Sequence, residues 1–237
     1  TLPGYHPVVG MDYAVDTALL WAPKDTQVEY QHVQVVGAPY LYLPAQVDSG
    51  PVYTRGLLAT PSHGIAQHPV RDGWGAYAEW LRHLADDRGA SPVCVCLHPH
   101  DATEDVVEAF EARGICPMSC GSTLEPAYLH RMRSFIRQHA FVTTNRVGTP
   151  AFYALYERRR LIMGGPLMGT EPPDRGEELS GDLDWTRARY PALFASEDSV
   201  DAGHSLARAE LGADYVKAKD ELRSILFGWY YGRQEAA

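Results

Sequence analysis

From Gly56 onward, short unbroken apolar runs alternate with longer stretches whose apolar positions recur every three or four residues. The first kind of pattern predicts buried strands and the second predicts amphipathic helices. Strands are expected at 56–59, 92–97, 115–120, 141–144 and 161–163. Helices are expected at 77–84, at 104–113 (stopped by Gly114), at 126–139, and at 151–160 with Thr149 as N-cap and Pro150 in the first turn. Three more helices are expected at 185–194, 200–211 (ended by Gly212) and 217–231. Residues 164–184, rich in Pro, Gly and acids, read as a mobile surface loop. Strands without polar alternation, each followed by a helix, predict an α/β fold: a Rossmann-like parallel sheet with helices on both faces.

The first fifty residues break this rhythm. They are rich in Pro, Gly, Tyr and Asp, with apolar or aromatic runs at 33–36 and 40–43 on either side of Gly37-Ala38-Pro39. We expect residues 1–50 to be an N-terminal extension and 51–237 to be the Rossmann-like domain. Trp21, Tyr30, Tyr40 and Tyr42 bring large aromatic surface into that short segment, which predicts an interface with a second chain, most simply another copy of this one.

Composition narrows the class. The chain has 237 residues, 45% of them hydrophobic, enough to bury a full core. Its 30 acids against 21 bases give a formal charge of −9, which repels a phosphate backbone, so no nucleic-acid partner is expected. No apolar run reaches the ~20 residues of a membrane span, and the opening residues lack signal-peptide features, so a cytoplasmic protein is expected. The 4 cysteines, Cys94, Cys96, Cys116 and Cys120, are too few for a disulfide scaffold.

In an open parallel sheet, ligands collect beyond the carboxyl ends of the strands. That rule selects the loops with Ser62 and His63, with His98, with Gly121, Ser122 and Glu125, and with Thr143, Thr144, Asn145, Gly148 and Thr149. The last runs from a strand end into a helix start, where backbone N–H groups and the helix dipole favour an anion. Its threonine hydroxyls either add donors to a phosphate or satisfy themselves locally. Pro99 fixes the turn after His98, so this imidazole either projects into the crevice as a donor to a phosphate or leaving group, or packs at the sheet edge. His63 holds the equivalent place after the first strand of the series.

Metal is the competing use of these side chains. Cys94, Cys96, His98 and His100 alternate along one strand face, but zinc pairs usually need a turn between ligands and both cysteines sit in a core-strand pattern. No metal is expected. Asp101, Glu104 and Asp105 are expected to cap and polarise a helix start. Gly-x-Gly-x-x-Gly, P-loop and Gly-x-Ser-x-Gly motifs are absent from the sequence, and no cofactor is expected.

In this order, residues 36–42, Pro61-Ser62-His63, His98-Pro99, residues 143–149 with 152–155, and Glu210-Leu211-Gly212 resemble the nucleotide-sugar-binding, C-terminal half of bacterial glycosyltransferases of the B fold, especially those making surface polysaccharide. The likeness covers residues 33–226. Bacterial sialyltransferases of that fold hold the donor's nucleotide phosphate with a His-Pro motif and a Ser or Thr pair, which implies such a role for His98, Thr143 and Thr144. Their general base lies in an acidic-Gly motif of the N-terminal domain, and the nearest match here is Arg71-Asp72-Gly73. The resemblance implies a nucleotide-sugar donor, a carbohydrate or small-molecule acceptor, and residues 1–50 as the remnant of an acceptor domain or a linker from one. The alternatives are a non-catalytic nucleotide-binding partner domain and a nucleotide-sugar epimerase or hydrolase.

Overall fold

The computed structural model describes residues 17–23, 32–45, 52–64, 70, 72–168, 186–195 and 199–232. They fall into two compact units: residues up to Leu43 with those from Arg208 on, and Pro44–Ala207. The C-terminal residues, expected to belong with the sheet, instead group with the N-terminal segment.

The larger unit contains five strands: β3 (Tyr53–Ala59), β4 (Val93–Cys96), β5 (Cys116–Met118), β6 (His139–Thr144) and β7 (Arg160–Met163). They form one sheet in the order β5-β4-β3-β6-β7, and every neighbouring pair is parallel. The helices α1 (Trp74–Arg88), α2 (Glu104–Glu111), α3 (Tyr128–Gln138) and α4 (Thr149–Tyr156) alternate with the strands. This is the expected Rossmann-like α/β architecture. The chain builds outward from β3 in one direction through β4 and β5, then returns to β3's other side with β6. Its topological switch point therefore lies between the carboxyl ends of β3 and β6, where doubly wound sheets open a crevice.

Side-chain periodicity explains the layers. Leu57 and Ala59 of β3 join Val93, Val95 and Leu97 in a core cluster against Trp74, Tyr77, Ala78, Leu81, Leu84 and Ala85 of α1 and Val106 and Phe110 of α2. The α1 positions follow the three-to-four spacing that places them on one helix face. Leu58 is fully buried between Leu57 and Ala59 and faces the opposite side, because successive strand residues alternate.

Several boundaries differ from the expectation. Gly148, with extended backbone, is the N-cap of α4, and Thr149 is its first helical residue. The helix ends at Tyr156 rather than running to 160, because Arg158 takes a positive φ of 55° and Arg160 begins β7. The segment after β7 begins packed: Met168 is buried, and Gly165 lies against Trp80 and Tyr77. The rest of the loop expected at 164–184 lies outside the described residues, as do Trp185 and Tyr30. The last helices are α5 (Pro191–Ala195), α6 (Val200–Glu210) and α7 (Lys219–Gly232).

In the smaller unit, β1 (Thr17–Leu20) and β2 (His32–Val35) pair in parallel. The aromatic run at 40–43 lies mostly in a 3-10 turn, Pro39–Tyr42, started by Pro39 rather than in an extended run. Tyr40 is fully buried. The Tyr42 hydroxyl donates to the Val36 carbonyl and accepts the Lys217 N–H. Tyr42 is thus tied to the returning C-terminal segment within its own unit. Gly212 marks the closest approach: with φ at +68°, a Cβ there would lie 1.8 Å from the Trp21 carbonyl oxygen. Only glycine fits.

His139 opens β6 fully buried, its Nδ1 2.7 Å from the Phe135 carbonyl and its Nε2 without a partner among the described residues. Burial holds its pKa below the ordinary 6.5. A histidine whose folded pKa is depressed binds its proton more readily when unfolded, so acid favours unfolding. Stability is therefore expected to fall as pH drops from about 6.5 toward the folded pKa. Urea midpoints measured across that window should slope less in His139→Gln than in the wild type; equal slopes would remove His139 from the acid response.

Candidate functional site

The loops that leave β3, β4 and β6 meet at the carboxyl edge of the sheet. The link across the switch point is Asn145, which is 1% exposed. Its Oδ1 accepts the Ser62 N–H at 2.8 Å and its Nδ2 donates to the Pro166 carbonyl at 2.7 Å. One side chain on the loop after β6 thus fixes the loops after β3 and β7. Ser62 contributes its backbone to this link.

His63 and His98, each placed by the sequence after an apolar strand, lie side by side. Their rings stack with centroids 4.6 Å apart at 14°, and the His100 ring lies 5.0 Å from that of His98. Burial lowers the pKa of His98, and the neighbouring His63 and His100 lower it further against the opposing pull of Asp101. His98 is therefore neutral near pH 7. Its Nδ1 faces the His100 N–H at 3.4 Å, which leaves the proton on Nε2. In His63 the arrangement is reversed: Nδ1 lies 2.7 Å from the Gly64 carbonyl and donates to it, which leaves the lone pair on Nε2. The hydrogen bond made by one ring nitrogen sets the role of the other, so the pair presents one N–H donor and one proton acceptor.

Asp101 is the residue that sequence reasoning missed. It does not cap α2, whose N-cap is Thr103, whereas Glu104 and Asp105 do lie in the first turn. Asp101 is 3% exposed, its Oδ2 accepts the Gly64 N–H at 3.1 Å, and its Oδ1 is buried without a partner among the described residues. The turn closed by the Asp101 N–H on the His98 carbonyl, at 2.9 Å, returns the carboxylate beneath His98. The spacing His98-Pro99-His100-Asp101 carried that signal, because the first and fourth residues of such a turn approach each other.

Thr143 and Thr144 lie at the end of β6, and both are buried. The Thr143 hydroxyl donates to the Ile162 carbonyl at 2.9 Å, and that of Thr144 to the Arg146 carbonyl at 2.8 Å. Both hydroxyls are spent on the local backbone. Gly148 and Thr149 start α4 with no side-chain cap, so the helix start offers its backbone.

Gly121, Ser122 and Glu125 form a separate loop after β5. The Glu125 carboxylate accepts the Ser122 N–H at 3.1 Å and pairs with Arg131, whose Nε donates to the Cys120 carbonyl at 2.7 Å. Arg131 and then the Ser122 N–H hold the Glu125 pKa down. A Cβ on Gly121 would meet the Arg131 guanidinium at 2.6 Å and the Glu125 carboxylate at 2.8 Å. This loop is tied to itself.

All four cysteines are free thiols. Burial raises the pKa of Cys94 to about 12, and Cys96 and Cys120 stand 3.4 Å apart through their Sγ atoms. No helix among the described residues is long and apolar enough to cross a membrane.

No protein-family model matches the chain, and no curated protein does. Solved structures do. A structure of S. aureus MnaA with UDP is 13% identical with a TM-score of 0.43, covering 85% of this chain and 55% of that one. The glycosyltransferase of kitacinnamycin is 14% identical with a TM-score of 0.41, covering 85% and 52%. A putative UDP-N-acetylglucosamine 2-epimerase from Listeria monocytogenes is 14% identical with a TM-score of 0.38, covering 77% and 50%. The chain thus spans about half the length of these structures.

Proposed function

We propose that the crevice between β3 and β6 binds a nucleotide sugar through its phosphates, and that the protein takes part in glycosyl transfer to an acceptor hydroxyl. The observation that carries this reading is the pairing of His63 and His98 at the carboxyl ends of adjacent strands, beside a switch point whose loops are fixed by Asn145. In this reading the His98 Nε2–H and the backbone N–H groups leading into α4 face the phosphates, while Thr143 and Thr144 shape the backbone that presents them. In the reaction, the acceptor oxygen attacks the anomeric carbon and the bond from that carbon to the phosphate oxygen breaks. His98 stabilises charge on the departing phosphate, and the His63 Nε2 accepts the acceptor's proton.

A thermal-shift screen with CMP, UDP, GDP and their sugar conjugates tests the binding step. Ligand at 100 times its dissociation constant adds about 2.7 kcal/mol. A flat screen at millimolar ligand would sink the reading. His98→Ala removes a charge-assisted contact of about 1.5–3 kcal/mol and should weaken nucleotide binding about tenfold to a hundredfold. Phosphate binding favours protonated His98, so affinity should rise as pH falls below about 6.5, with His63, His100 and Asp101 as the other titratable groups facing the ring. Consumption of a nucleotide sugar without acceptor would indicate an epimerase or hydrolase, and turnover only with a second protein a partner domain.

A further inference from the structure

The sequence poses the metal question on Cys94, Cys96, His98 and His100. The fold brings a different set together. His63, His98 and Asp101 each offer a ligand atom, and these atoms all lie within 4.8 Å of one another. We propose that His63, His98 and Asp101 form a binding site for one divalent ion of the zinc class.

Three features carry this inference beyond proximity. First, Asp101 is 3% exposed and its Oδ1 has no partner among the described residues, although a buried carboxylate oxygen ordinarily takes a hydrogen bond or a cation. Second, the supporting contacts are those that metal ligands use: the Nδ1 of His63 donates to the Gly64 carbonyl, and the Oδ2 of Asp101 accepts the Gly64 N–H. Such contacts orient a ring or carboxylate and leave its other lone pair for the ion. One residue, Gly64, thus orients two of the three ligands. Third, the His98 ring holds a lone pair that no short hydrogen bond occupies. Among the described residues its Nδ1 takes only the 3.4 Å approach of the His100 N–H, a contact a metal would replace.

Two imidazoles and one carboxylate suit zinc, with a fourth position left open. Ligand atoms around a tetrahedral zinc stand about 3.3 Å apart. The widest-spaced pair therefore needs to close by at most about 1.5 Å, and the exposed His63 ring can move to do so. The inference does not rest on nucleotide binding, since the ion is held by protein groups alone, but it takes the same His63 Nε2 lone pair, so an occupied site would replace that imidazole's role as proton acceptor.

The test uses the full chain, stripped with chelator and titrated with zinc sulfate in the absence of nucleotide, with bound zinc counted by elemental analysis after dialysis. One equivalent per chain is expected. Replacing a ligand should weaken binding at least about 100-fold, because loss of outer contacts alone costs about 10- to 100-fold. Asp101→Asn keeps the acceptor for the Gly64 N–H, so it separates loss of the ion from loss of the fold. His83→Ala, on the exposed face of α1, should bind as the wild type does. Absence of saturable zinc in the folded chain would overturn the site. So would full retention in the His63→Ala/His98→Ala double variant, or retention there with loss in Cys96→Ser. A thermal shift with nucleotide but no zinc equivalent would overturn the metal site alone; the converse would overturn the nucleotide reading alone.

Discussion

Asn145→Ala should lower stability by about 2–4 kcal/mol, because it orphans two backbone groups at once, each worth about 1–3 kcal/mol when left unpaired away from water. The Ser62 N–H loses its acceptor and the Pro166 carbonyl loses its donor, both at good hydrogen-bond distance. The amide is itself 1% exposed, and the space it leaves lies between three loops. Asn145→Asp should fare no better: it can still accept from Ser62 but cannot donate to Pro166, and it buries a charge. Urea unfolding gives the stability. Nucleotide titration should show a further loss in both variants, because the loop after β3 carries His63. A change below about 0.5 kcal/mol would mean that the loops hold themselves without this side chain.

The strands that build the site were legible because their patterns are uninterrupted. Leu57 to Ala59 and Val93 to Val95 are buried throughout, and a parallel strand covered on both faces has no polar position to obscure its period. Local signals also placed His63 and His98 after such strands, while their stacking depends on β3 and β4 being neighbours in the sheet. Asp101 was legible only in part, through the four-residue turn that brings it back toward His98. Its spacing before an acidic helix start suggests a cap, and only the fold shows that its partner is Gly64, 37 positions earlier. The threonines present the converse case. Thr143 and Thr144 look available beside a glycine and a helix start, yet the neighbouring strand β7 and the turn at Arg146 take their hydroxyls. Grouping of the C-terminal segment with residues up to Leu43 was hidden for a similar reason. It depends on the close approach of Gly212 to Trp21, far apart in the chain.

Glu157→Ala is expected to be among the most destabilising single substitutions in the larger unit, costing about 3–5 kcal/mol, the range for breaking a buried ion pair from one side. Its carboxylate accepts from Arg133 Nε at 2.7 Å and from Arg137 Nε at 2.6 Å, one arginine on each oxygen. The side chains of Glu157 and Arg133 are each 8% exposed, so the charges are largely out of water. Arg133 and Arg137 lie one turn apart on α3 and also donate to the carbonyls of Pro44 and Ala45. Glu157 follows directly after α4, so the triad joins two helices on one face of the sheet to the segment that leads toward β3. Removing the acid leaves two neighbouring guanidinium groups without the carboxylate they share. Melting should fall by about 2–4 °C per kcal/mol in a chain of this size. Arg133→Met with Glu157→Leu and Arg137→Met should recover much of the loss, because an apolar replacement carries no desolvation penalty. If Glu157→Ala melts within about 1 °C of the wild type, the network contributes specificity without stability.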